Sequence, residues 1–144
     1  MDVSASGFKI LVQDSKIFPS GFTITRTADG TDPFGFNTVT LGEATVDANG
    51  HIVYAATPNP TEFTINLLPN SEEDDNMSLL FESHRPRPGV PRTGGNITIT
   101  VIYADGRSTT ANNCYFLTGD PKRSVQAPSR YKNKVYTFAC EDYV

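Results

Sequence analysis

Tryptophan is absent from this 144-residue chain, cysteine and histidine occur twice each, and charged residues make up only 19% of the total. Cys114 and Cys140 are too few and too far apart for a zinc site or a small disulfide scaffold. Both are expected to be buried free thiols acting as small hydrophobes. No apolar run approaches the roughly 18 to 20 residues of a membrane span. Met1, Asp2, Val3 and Ser4 lack the basic, then apolar, opening of a signal peptide. A soluble chain made in the cytoplasm, with no membrane anchor, is the expectation. The motifs G-x-S-x-G and H-E-x-x-H and the P-loop are missing, and the run Asp47, Ala48, Asn49, Gly50 is too short and too poor in carboxylates for an EF-hand. His51, beside a turn, and His84, at a helix end, share no local motif with other ligand types and read as structural or surface residues. These absences predict no enzyme, no metal and no cofactor. Without tryptophan or a clustered tyrosine face, a monomeric β-sandwich binding module, for carbohydrate for example, is a secondary reading.

What the chain does hold is β-branched. Ten Val, eight Ile and seventeen Thr stand against seven Leu, and such side chains suit a pleated sheet better than a helix. Nine Phe and six Tyr, with 38% hydrophobic residues, set the composition apart from that of a disordered chain. The length fits one domain over residues 1–144.

Alternation of apolar and polar residues marks strands at Phe8–Val12 with an extension at Lys16–Phe18 closed by Pro19, then at Phe22–Thr27, Thr38–Val46, His51–Ala55, Glu62–Leu68, Ile97–Tyr103, Ser108–Leu117 and Lys134–Tyr143. Turn residues at Asp47–Gly50 and Ala104–Arg107 predict two hairpins. Residues 28–37 and 118–131 read as loops. One helix is expected, with Ser71 as its N-cap and Glu72, Glu73, Asp74 and Asp75 where the helix dipole favours negative charge. Met77, Leu80, Phe81 and His84 form its apolar stripe, and Pro86 stops it at Arg85. The fold class that follows is all-β with one helix, a sandwich or barrel of seven or eight strands with the helix packed across it.

The net charge of −4 speaks against a duplex-gripping protein with a basic footprint. It conceals a split: residues 1–84 carry twelve acids and three bases, a balance of −9, and residues 85–144 carry four acids and nine bases, a balance of +5. Halves of opposite sign suit contact within one subunit or between two. The basic set Arg85, Arg87, Arg92, Lys122, Arg123, Arg130, Lys132 and Lys134 has only Tyr131 among it, so it lacks the aromatic platform of single-strand binders and suits an acidic partner. Phe34 and Phe36, on the loop 28–37, need cover from their own core or from a neighbour.

The order of these elements resembles the tail tube proteins of contractile-tailed bacteriophages, which are similar in fold to the tube protein of type VI secretion. The resemblance rests on Glu62–Glu82, a strand running through a capped acidic turn into the helix, on the hairpin Gly42–Tyr54 and on the closing strand Arg130–Tyr143. It implies a virion structural protein whose homohexameric rings stack into a tube. Each subunit would lend about four strands to a ring-wide barrel of roughly 24, wide enough for an open channel. It implies as partners a tail sheath protein, a tape measure protein in the lumen before ejection, and baseplate and tail terminator proteins. Double-stranded DNA would pass through without specific binding, along a lumen of acidic or small polar side chains. On this reading Phe34 and Phe36 anchor a contact between subunits, with Asp29 and Asp32 facing Arg123 or Arg130 of a neighbour, and Glu72, Glu73, Asp74 and Asp75 face the sheath. A tube or tail-completion protein of a non-contractile phage is the nearest alternative.

Overall fold

The computed structural model describes residues 1–27 and 32–144. Strands β1 (Lys9–Asp14), β2 (Phe18–Ile24), β3 (Phe34–Phe36), β6 (Thr61–Leu67), β7 (Ile97–Ile102), β8 (Ser108–Gly119) and β11 (Lys134–Tyr143) form one antiparallel sheet in the order β2-β1-β7-β8-β11-β6-β3. The sheet curls into a half-barrel. Its two flanks approach where Thr27 bridges Leu67 and the Leu68 amide donates to the Arg26 carbonyl at 3.3 Å.

Period-two alternation decides which face is inside. Thr61, Phe63, Ile65 and Leu67 of β6 are buried, as are Ile97, Ile99 and Val101 of β7 and Tyr136, Phe138 and Cys140 of β11. Phe63 stacks on Phe138 at 5.3 Å between ring centroids and Phe138 meets Phe116 at 4.4 Å, so the aromatic side chains fill the middle of the core. Helix α1 (Glu72–His84) covers this face with Met77, Leu80 and His84 buried and Phe81 against Phe116 and Tyr136. Its ends are those the sequence marks: Ser71 Oγ accepts from the Asp74 amide at 3.2 Å, and Arg85, before Pro86, is extended with φ −85°.

Four local expectations are corrected. Pro19 does not close a strand, since β2 runs through it; β2 is an edge strand, and an edge strand tolerates a residue without an N–H. Residues 34–36, read as loop, form β3 on the far edge of β6, because Phe34 and Phe36 gain contact with Phe63 there. Residues 118–131 are not all loop: β8 continues to Gly119, and β9 (Val125–Gln126) pairs with β10 (Arg130–Tyr131) in a small hairpin. The strand expected over Thr38–Val46 begins only at Gly42, as β4 (Gly42–Val46), which pairs with β5 (Ile52–Ala56) in a separate two-stranded ribbon.

Candidate functional site

Three places on the molecule have chemistry that the core does not account for. The first is the outer face of the sheet. One row of short, uncharged residues crosses four strands there, with Gly35 opposite Thr64, Thr64 opposite Thr137, and Thr137 opposite Thr118, while the larger Tyr115 and Val135 are exposed on the same face. A second row runs Thr23, Leu11, Thr100, Thr110, in which the Thr100 and Thr110 hydroxyls lie 3.3 Å apart. At the outward positions of the seven strands the charged residues are Lys9, Glu62 and Glu141, one base and two acids.

The second is the ribbon β4–β5. Every residue in it except Gly42 is exposed. Register places Ala44 opposite Tyr54 and Val46 opposite Ile52, so one face of the ribbon is wholly apolar. Tyr54 leans over Gly42, where a Cβ would lie 2.7 Å from its hydroxyl. The other face carries Glu43, and the turn is held by the Asp47 carboxylate, which accepts from the amides of Asn49 and His51 at 2.9 Å. His51 itself lies on the surface, 3.5 Å from Asp47.

The third is the end of the molecule formed by residues 120–133. Lys122, Arg130 and Lys132 are exposed there, and Val125 sits opposite Tyr131 across the β9–β10 pair. Arg123 is already engaged within its own chain, 3.6 Å from Asp75 and over the Tyr131 ring at 5.8 Å.

Asp29 lies outside the described residues. Asp32 and Arg130 are exposed. Phe34 is partly buried on the core and Phe36 is 38% exposed, and both pack against Phe63, so their own core supplies much of their cover. The four acids of the helix do not share one outward face, because successive helical residues point about 100° apart. Glu72 and Asp75 are exposed, whereas Glu73 accepts from the Thr25 and Arg26 amides at 3.0 Å. Asp74 is 1% exposed, and Lys134 Nζ lies 3.1 Å from its Oδ1. That contact is Coulombic, as Asp74 Oδ1 has no aligned hydrogen-bond donor, and the Lys134 ammonium also donates to Ser78 Oγ at 2.8 Å. Lys134 therefore leaves the basic set, and Asp74 leaves the acidic one.

His84 also has a partner that no local motif marks. Its Nε2 is 2.6 Å from Asp14 Oδ2, with both side chains buried, and donates to that carboxylate, while its Nδ1 is buried without a partner. Burial works to raise the Asp14 carboxyl, but hydrogen bonds from His84 and from the Ile17, Lys16 and Gly95 amides together outweigh it and hold the group below its ordinary value. Cys114 and Cys140 are free, buried and directly opposite one another on β8 and β11. Burial pushes the Cys114 thiol up to about 12.

Among the described residues no group of three or more His, Cys, Asp or Glu is placed to hold a metal ion. No curated protein matches the chain. The family described as tail fiber protein gp32 matches residues 1–144, and the chain belongs to this family of phage tail structural proteins.

Proposed function

We propose that this phage tail protein is the wall subunit of a tail tube: copies join into hexameric rings, the rings stack, and the outer sheet face around β6, β11 and β8 lines the channel. The observation that supports this reading is the composition of that face, which the row Gly35, Thr64, Thr137 and Thr118 crosses and whose outward strand positions carry no lysine or arginine. Duplex DNA carries one negative charge per roughly 1.7 Å and is held by surfaces that release its counterions. A face of threonines and uncharged side chains such as Tyr115 and Val135, with the carboxylates Glu62 and Glu141, offers no such gain, so DNA would slide past it. The small net charge of −4 fits a protein that handles DNA without gripping it.

The same reading assigns the partners. A sheath protein surrounds the tube, a tape measure protein fills the lumen before ejection, and baseplate and terminator proteins close the ends. The protein is made in the host cytoplasm and functions in the virion, as a structural subunit with no catalytic role. Negative-stain electron microscopy of the purified chain, alongside sedimentation velocity, tests the proposal. Rings or tubes with a central hole are expected; a strict monomer at high concentration overturns it.

A further inference from the structure

We infer that the ribbon β4–β5 of one copy docks on the basic end, residues 120–133, of a second copy, and that this head-to-tail contact is what stacks rings. The inference rests on the tube reading for its ring geometry, while its residues are chosen from exposure, register and charge.

Consider first what the ribbon lacks. Val46, Ile52 and Tyr54 are 67%, 75% and 59% exposed on one face, and a two-stranded ribbon is marginal in water by itself. An exposed apolar face of this kind is a surface for docking. Residues 41–56 carry Glu43 and Asp47 and no lysine or arginine, a charge of −2 with His51 neutral. The occupant should therefore be apolar at its centre and basic at its rim.

The 120–133 end has that character. Val125 and Tyr131, 66% and 42% exposed, form a cross-strand pair, and the exposed Lys122, Arg130 and Lys132 on the same segment bring three positive charges to this end. The Asp120 carboxylate, the acid nearest in sequence, accepts from the Val135 amide.

Topology attaches the two surfaces to opposite ends of the β6–β11 pair. The ribbon enters β6 at Thr61, which sits opposite Cys140; the basic end feeds β11 at Lys134, which sits opposite Leu67. Six residues of extended strand separate the two ends, about 20 Å. Two complementary surfaces at opposite ends of one chain reach each other across copies. Such a heterologous contact repeats without closing and yields a filament.

A charge exchange tests the pairing. Glu43→Lys with Asp47→Asn reverses the ribbon's sign and leaves the turn an acceptor at residue 47. Lys122→Glu, Arg130→Glu and Lys132→Glu reverse the other end. All five positions are exposed, and retention of the wild-type far-ultraviolet spectrum checks folding. Each variant should remain as single rings, with the concentration for half-stacking raised at least about tenfold, and the combined variant should recover stacking. Ile52→Ser with Tyr54→Ser should also stop stacking, through loss of the apolar face. If wild-type tubes form and either charge variant stacks equally well, or the combined variant fails to recover, the docking inference is wrong and the tube reading survives. If the ribbon variant stacks normally but no longer enters virions, the ribbon belongs to another tail protein and the inference is likewise overturned. A wild-type chain that never forms rings overturns the tube reading itself.

Discussion

Asp14 ties three parts of the chain together: its carboxylate collects the His84 ring from the helix end, the Lys16 and Ile17 amides of its own turn and the Gly95 amide of the connector after the helix. Because its folded pKa is depressed, the unfolded chain binds the proton more readily, and stability rises with pH through that interval. The contribution is fully present above the ordinary carboxylate value of about 4 and is lost as pH falls through the lower folded value. Thermal melts from pH 6 to pH 2 should show this loss, and Asp14→Asn should flatten it while lowering stability at pH 6. The Asp74 and Lys134 pair behaves differently, because removing one member strands the other charge in the interior. Asp74→Ala should cost about 3 to 5 kcal/mol in urea unfolding, whereas the double change to Leu and Met should cost far less. Cys114, with its thiol pushed up to about 12, should resist iodoacetamide at pH 8 in the native state and react once the protein is unfolded. A shift in mass of the native protein would contradict its burial. The thiols could be read from sequence, since two isolated cysteines in a strand-rich chain are usually core residues. The two buried polar pairs could not: Asp14 and His84 are 70 residues apart, and Asp74 and Lys134 lie 60 apart on a helix and a strand whose packing no local pattern encodes.

At the scale of elements, the legible parts are those whose signals are local. The N-cap at Ser71, the stop before Pro86, the turn Asp47–Gly50 and the long alternation of β11 all appear where residue type places them. Ser71→Ala should therefore weaken the helix and lower stability by about 1 kcal/mol. What local signals miss is pairing that compensates for an unfavourable segment. β3 is only three residues long with a central glycine, and it exists because Phe34 and Phe36 find Phe63. Phe34→Ala should accordingly cost about 2 kcal/mol of stability, a fraction of the cost for a fully buried phenylalanine. If it instead left the melting temperature unchanged while blocking assembly, Phe34 would be a contact residue between subunits and its packing on the core would be incidental. The ribbon β4–β5 was visible as a hairpin from its turn, but its exposure was not, because alternation alone cannot say whether a sheet face meets a core, a neighbour or water.

For the whole molecule, the fold provides a helix-covered inner face, an outer face poor in charge, and two ends of opposite sign. The −9 and +5 halves seen in the sequence map only partly onto those ends, since Asp74, Lys134, Asp75 and Arg123 pair inside one subunit. The acidic ribbon and the basic end stay exposed, alongside charges elsewhere on the surface such as Glu72, Arg92 and Arg107. If the outer face lines a channel as proposed, the basic substitution Thr64→Lys with Thr137→Lys should leave ring assembly intact and slow DNA passage, read as delayed genome release from virions. The most direct test of the account is a reconstruction of the assembled protein by cryo-electron microscopy at side-chain detail. The account predicts a hollow ring of six copies with Thr64, Thr118 and Thr137 turned to the opening. A solid fibre, or an opening lined by Lys122, Arg130 and Lys132, would contradict it.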